Sequence, residues 1–125
     1  MGESVVSQTI NFKLLQDFQV VYQTNINELI DLYLRDAEKK FSQLNKSLNA
    51  GKIQDFISSA KELRNRSLDV GAVGFSHTCL GLEIAGQEMR LENLPRIVQL
   101  LEEHFLSIKK ELLKIKNSAP EPLKA

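Results

Sequence analysis

The sequence predicts an all-α protein, an antiparallel four-helix bundle with a short N-terminal capping helix. Two observations predict this class. Apolar residues recur at spacings of three and four over long stretches, which is the period of an amphipathic helix. Only three prolines and six glycines occur in 125 residues, so the helices are long and the links between them are short. A chain of this length fits one domain with a single core.

We divide the chain into three parts. Residues 1–10 are mostly polar and aperiodic, and we expect a flexible N-terminus there. Residues 11–116 carry the helical periodicity and form the bundle domain. Residues 117–125, with the sequence NSAPEPLKA, contain two prolines and are expected to form a flexible C-terminal tail.

Composition excludes several classes of function. The net charge is zero, so no overall field attracts nucleic acid or an anionic membrane. No apolar run approaches the roughly 18 residues that a membrane span needs. The N-terminal residues lack the basic start and apolar segment of a signal peptide. The single cysteine excludes an intrachain disulfide and suits a reducing compartment. We therefore expect a cytoplasmic protein.

The first predicted helix is a short lid over one end of the core, and the second is a long helix with a broad stripe of buried apolar residues. The apolar residues of the lid are Phe12, Leu14, Leu15, Phe18 and Val21. The second helix begins at Asn25, which with Glu28 three residues later resembles a capping box. Its stripe comprises Ile26, Leu29, Ile30, Tyr33, Leu34, Ala37, Phe41, Leu44 and Leu48. The helix ends before Gly51, which can adopt a positive φ.

The third helix is predicted from about Ile53 to Leu68. Its core face comprises Ile53, Phe56, Ala60, Leu63 and Ser67. An exposed polar strip on its flank comprises Gln54, Ser58, Lys61 and Asn65. Arg64 falls within the apolar arc, so we expect its stem to pack and its charged head to reach out to solvent.

The last two helices follow a tight turn at Gly71-Ala72. The predicted core positions of the fourth helix are Phe75, Cys79, Leu82, Ile84, Ala85 and Met89, and Gly74 and Gly81 are expected to allow close backbone approach. The fifth helix opens near Asn93-Leu94-Pro95, with Pro95 in its first turn. Its stripe, to about Lys116, comprises Ile97, Leu100, Leu101, Phe105, Ile108, Leu112, Leu113 and Ile115.

Twelve residues of this central region stand at characteristic spacings, without a gap. They are Gly51, Phe56, Ala60, Leu63, Arg64, Ser67, Gly71, Ala72, Phe75, Cys79, Leu82 and Glu83. The series resembles the core signature of the histidine-containing phosphotransfer (HPt) family. The stretches 29–44 and 91–105 are also similar to helices of that family, so the resemblance covers roughly residues 12–115.

The departures from the family pattern are concentrated at its active surface. The resemblance implies a phosphate-accepting histidine where this chain has Lys61. Asn65 replaces a glycine and Arg66 replaces the first of two serines. Arg64 keeps the cation of the family's lysine, and Ser67 keeps the second serine. The scaffold is therefore expected to persist without its nucleophile.

The chemistry of these replacements predicts that phosphorelay through this site fails. A histidine is partly neutral near pH 7, so a ring nitrogen can attack phosphorus, whereas an alkylammonium has no free lone pair. The side chain of Asn65 also obstructs the approach that the family's glycine allows. Docking is expected to survive, because Lys61, Arg64 and Arg66 against the single Glu62 form a cationic surface. Receiver domains, the usual partners of the family, carry clustered carboxylates.

These residues lead to the interpretation of a pseudo-phosphotransfer module in two-component signalling. It docks a response-regulator receiver domain or a hybrid sensor kinase, accepts no phosphate and is a monomer. The predicted partner-binding residues are Gln54, Ser58, Lys61, Arg64, Asn65, Arg66 and Leu68. We expect no catalytic activity of its own, no cofactor, and no metal site, since one cysteine and two distant histidines give no ligand set.

Three alternatives remain open. In the first, Lys61 is an ordinary solvated lysine on a bundle that binds something else. In the second, the chain is a scaffold or dimerisation bundle, in which Phe12, Phe18 or Leu68 belongs to an exposed apolar patch. In the third, phosphotransfer is active through His77, although no motif surrounds it. His77 and His104 are otherwise predicted to be surface or boundary residues.

Overall fold

The computed structural model describes residues 10–22 and 25–118, which contain helices and no strand. The helices are α1 (Phe12–Tyr22), α2 (Ile26–Asn49), α3 (Ile53–Asp69), α4 (Val73–Gln87) and α5 (Leu94–Ser118). The predicted all-α class is confirmed. Among the described residues, no helix combines the length and the apolar character that a bilayer crossing requires.

The four long helices form a closed ring around one core. Each of α2 to α5 packs against the next, and α5 returns to α2, whereas these helices make no close backbone contact across the two diagonals. The short α1 lies against α2 and α3. This is the predicted antiparallel four-helix bundle with a capping helix. The bulkiest side chains with almost no exposure include Phe56, Phe75, Leu15, Ile30, Leu44 and Leu63.

Helix α2 is joined to α5 by polar contacts that recur every seven residues along both helices. The contacts are Lys116 Nζ to Asp31 Oδ1 (2.6 Å), Lys109 Nζ to Glu38 Oε2 (3.4 Å) and Asn45 Nδ2 to Glu102 Oε2 (2.8 Å). Seven residues correspond to two helical turns, so contacts with this spacing stay on one side of each helix. They define the antiparallel register of the two longest helices.

The predicted ends of the helices are confirmed at three positions. The side chain of Asn25 caps α2 by accepting a hydrogen bond from the backbone N–H of Glu28 at 2.8 Å. Gly51 and Gly71, which follow α2 and α3, have φ values of +72° and +81°. The backbone N–H of Asn11 donates to the Gly71 carbonyl at 2.7 Å. This bond ties the start of α1 to the corner between α3 and α4.

The predicted inner face of α4 is partly wrong. Ile84 and Met89 are exposed, while Ser76 and Glu83 are buried. Nine residues separate Ile84 from Phe75, which places the two on opposite sides of an α-helix. Met89 follows the end of α4 and has a φ of +56°.

Two further details of α4 and α5 differ from the prediction. An added Cβ at Gly74 or Gly81 would meet nothing within 4 Å, so neither glycine permits a close approach. Gly86 does, because a Cβ there would lie 2.9 Å from Ile57 Cγ1 of α3. On α5, Leu100 is exposed, and Leu94 and Val98 are buried in addition to the predicted stripe.

Helix α1 covers less of the core than its pattern predicts. Leu15 is fully buried and Phe18 is half-buried, but Phe12 and Val21 are exposed. Ile10 packs against the core from just before the helix. At the other terminus α5 continues two residues beyond its predicted end. The rest of the predicted flexible termini, 1–9 and 119–125, lies outside the described residues.

Replacing Gly71 with Ala is expected to destabilise the bundle more than replacing Gly51. Both positions have a positive φ, which costs an L-residue about 1–2 kcal/mol. Only at Gly71 would the new Cβ also collide with the carbonyl oxygen of Asn11. We expect losses of about 1 kcal/mol for Gly51→Ala and about 3 kcal/mol for Gly71→Ala, measured by urea unfolding. Equal losses would contradict the packing of α1 on this corner.

The thiol of Cys79 is expected to be unreactive in the native protein. The residue is fully buried, and this burial raises its pKa to about 12. An aromatic disulfide reagent at pH ~8 should leave Cys79 unmodified until denaturant is added. Because the unfolded thiol ionises near pH 8.5 and the native one does not, stability should also fall as pH rises from that value. Rapid labelling of the native chain would refute the buried placement.

Candidate functional site

One flank of α3 is fastened to α2 by three polar contacts. Tyr33 and Ser67 share a buried hydrogen bond of 2.8 Å between their hydroxyls. Arg66 Nε lies 3.4 Å from Asp36 Oδ2, and Lys40 Nζ lies 2.6 Å from Glu62 Oε1. From one pair to the next the residue number rises on α2 and falls on α3, as expected for two antiparallel helices.

The other flank of α3 is fastened to α4 by a charged pair. The Arg64 guanidinium donates two hydrogen bonds to the Glu83 carboxylate, from Nε to Oε2 and from Nη2 to Oε1 at 3.2 Å. The hydrogen bond raises the pKa of Arg64 above its ordinary value, so the side chain stays charged. Glu83 is only 5% exposed. A carboxylate this buried needs its cation, because desolvating an unpaired charge is costly.

Between these two flanks lies the exposed face of α3. The predicted polar strip of Gln54, Ser58, Lys61 and Asn65 is exposed along its whole length. Lys61 forms no hydrogen bond or ion pair with any residue in the described part of the chain. Its ammonium is therefore open to an external partner.

The other three predicted partner-binding residues are distributed differently. Arg64 is half-buried and its head turns to Glu83, whereas the sequence predicted that it would reach out to solvent. Arg66 is exposed but lies on the opposite flank, beside Asp36. Leu68 is half-buried. The two arginines thus lie on opposite flanks of the strip, and each is balanced by a carboxylate of a neighbouring helix.

Two residues of α4 border the strip and were missed by the sequence analysis. Leu80 and Ile84 are each 38% exposed. Because Arg64 meets Glu83 and Ile57 meets Gly86, the antiparallel register places both residues alongside the Lys61 segment of α3. The sequence could have shown this for Ile84. At 100° per residue along α4, Ile84 lies on the opposite side of the helix from the core residue Phe75.

Comparison with known proteins gives one informative match. No protein-family model and no curated protein matches the sequence. The structure is similar to the crystal structure of histidine-containing phosphotransfer protein B (HptB) from Pseudomonas aeruginosa PAO1, with a TM-score of 0.82. The match covers 89% of this chain and 96% of that chain, at 22% sequence identity. This chain has an HPt-like fold. The fold implied by the sequence resemblance is therefore confirmed.

The histidines, acidic residues and exposed lysine of the described ranges differ in the chemistry that they allow. No group of three or more His, Cys, Asp or Glu side chains in the described ranges could hold a metal ion. His77 is exposed on α4, and His104 lies edge-on to Phe75 with ring centroids 5.4 Å apart. An exposed lysine ammonium can donate three hydrogen bonds to anionic oxygens but has no lone pair for attack on phosphorus.

The Glu83 side chain is more deeply buried than the Arg64 side chain, so removing either charge should cost a different amount of stability. Arg64→Met keeps the stem but leaves the buried carboxylate without its cation, which should cost about 3 kcal/mol. Glu83→Gln leaves a guanidinium whose side chain is 24% exposed, so water compensates part of the loss and we expect about 1 kcal/mol. Urea unfolding of both variants measures the difference. A larger loss for Glu83→Gln would contradict this assignment of burial.

Proposed function

We propose that this chain is a pseudo-phosphotransfer module of a two-component phosphorelay. It docks a response-regulator receiver domain, or the receiver of a hybrid sensor kinase, and accepts no phosphate. The observation that carries the proposal is Lys61 in the middle of α3 of an HPt-like fold, an exposed ammonium without an ion-pair partner among the described residues. By the sequence resemblance, this is the position of the family's acceptor histidine.

The charge distribution supports docking at Lys61. The neighbouring arginines are balanced by Glu83 and Asp36, and Glu62 is balanced by Lys40. Among the charged side chains at positions 61–66, only the Lys61 ammonium has no ion-pair partner in the described part of the chain. An anionic oxygen of a receiver's carboxylate cluster, or of its phosphoryl group, matches this charge.

The side chains of α3 support the absence of transfer. The helix contains no histidine, and an ammonium is not a nucleophile. Asn65 is exposed one turn beyond Lys61, so its side chain stands beside the position that an incoming phosphoryl group would occupy. Both residues would have to change before an imidazole could receive phosphate here.

Transfer is tested with receiver domains that carry radioactive phosphate. We expect no label on the wild-type chain after mixing. The double variant Lys61→His/Asn65→Gly, which supplies an imidazole and removes the neighbouring side chain, should acquire acid-labile label. The glycine costs about 1 kcal/mol of helix propensity, so circular dichroism checks the fold. Label on the wild-type chain would overturn the no-transfer part of the proposal.

Docking is tested separately by NMR titration with the same receivers. Shifts should concentrate on Gln54, Ser58, Lys61 and Asn65. Lys61→Glu should weaken binding at least about fivefold, the equivalent of roughly 1 kcal/mol for one exposed pair. Lys110→Glu is the matched control, because it makes the same charge change at an exposed position of α5, which makes no close backbone contact with α3. Equal losses for the two variants, or shifts gathered elsewhere, would argue against this surface.

Two alternatives to this proposal, phosphotransfer through His77 and a dimerisation bundle, make different predictions for the same protein. His77 is exposed on α4, so phosphotransfer through it predicts label that His77→Ala removes. A dimerisation bundle is favoured by the 45% exposure of Phe12 on α1, whereas Phe18 and Leu68 are half-buried. Light scattering distinguishes the second case, because a dimer predicts a mass that rises with concentration.

A further inference from the structure

A hollow of about 460 Å³ opens on the seam between α2 and α5. It lies between two of the seam's contacts, the pair of Glu38 with Lys109 and the bond of Asn45 with Glu102. Its floor is formed by the nearly buried rings of Phe41 and Phe105. Since α3 makes no close backbone contact with α5, this hollow is separate from the strip around Lys61.

The charges around the hollow are predominantly negative. Its charged lining residues are Glu38, Glu102, Glu103 and Lys109. Lys109 balances Glu38 at 3.4 Å. Glu102 accepts a hydrogen bond from the neutral amide of Asn45, so its charge is not cancelled. Glu103 is exposed and has no ion-pair partner in the described ranges. Two carboxylates therefore remain uncompensated on a chain with zero net charge.

The rim of the hollow also presents apolar surface. Leu106 lines it and is 64% exposed. A single exposed leucine is ordinary on a protein surface. Here it stands three residues from Glu103 on the same side of α5, above an aromatic floor. An apolar side chain that entered the hollow would remove Leu106 and the edges of both rings from water.

We propose that this acidic hollow, defined by Phe41, Glu102, Glu103, Phe105 and Leu106, docks a basic amphipathic helix of a partner protein. The apolar face of such a helix covers Leu106 and fills the space above the rings. Its lysines or arginines meet Glu102 and Glu103. Helix-in-groove recognition uses this combination of apolar anchors and flanking charge. The site is independent of receiver docking, so one chain can hold two partners at once.

The test uses a synthetic helical peptide of Leu and Lys at amphipathic spacing, labelled for fluorescence anisotropy, with a Leu and Glu peptide for comparison. The wild-type chain should bind the basic peptide and not the acidic one. Leu106→Ser and Glu103→Lys should each weaken binding about tenfold. The matched controls are Leu100→Ser, another exposed leucine of α5, and Glu92→Lys, another exposed carboxylate. Neither control residue lines the hollow, so both controls should bind like wild type.

Other results would overturn the proposal. One is that the wild-type chain does not bind the basic peptide. Another is that the control variants lose as much peptide binding as the variants in the hollow, because the peptide would then respond only to overall charge or hydrophobicity. Self-association that Leu106→Ser abolishes would assign the hollow to a second copy of this chain. Lys61→Glu should leave peptide binding unchanged, and its loss would place the peptide on α3 instead.

Discussion

The rotation of α3 about its own axis is set by polar contacts on both of its flanks. The hydroxyls of Tyr33 and Ser67 are paired in the interior on the α2 side. The buried carboxylate of Glu83 is paired with Arg64 on the α4 side. Breaking either pair would leave a polar group without a partner away from water. Because both pairs must form together, α3 can present only one face to solvent, and Lys61 lies at its centre.

The contacts that orient α3 also determine its electrostatics. From the sequence, three cations near position 61 suggest a broad basic surface. In the structure Arg64 and Arg66 pair with Glu83 and Asp36 on opposite flanks, and of these three cations only Lys61 lacks a partner within residues 10–22 and 25–118. On the proposed function, recognition then depends on one anionic group aligned with one ammonium. The partly exposed Leu80 and Ile84 of α4 add apolar contact area beside it.

Helix α2 connects the two surfaces for which we propose partners. One of its sides forms the seam with α3, and another forms the seam with α5. Apart from the buried pair of Tyr33 and Ser67, the contacts along both seams involve charged side chains near the surface, each of which contributes little to stability. Their main effect is to define register, while the aliphatic and aromatic core supplies the driving force for folding. A bundle with its register set on both sides of α2 can present two separate binding faces without rearrangement.

How well each element was predicted follows from the number and arrangement of its apolar residues. The nine stripe positions of α2 are all buried or half-buried, because a long helix with one apolar side leaves little choice of phase. Helix α4 has apolar residues on several sides and three glycines, so its phase was ambiguous and Ile84 was assigned to the core wrongly. The close approach at Gly86, rather than at Gly74 or Gly81, depends on where Ile57 of α3 arrives.

The sequence alone determined that α3 carries an exposed polar strip that contains Lys61, because helical periodicity is a local property. Only the tertiary structure decided which cations of that region stay free. The partners of Arg64 and Arg66 lie on α4 and α2, and a pairing between helices depends on their relative register and rotation. That information is produced when the side chains of all four helices pack together, and no single helix contains it.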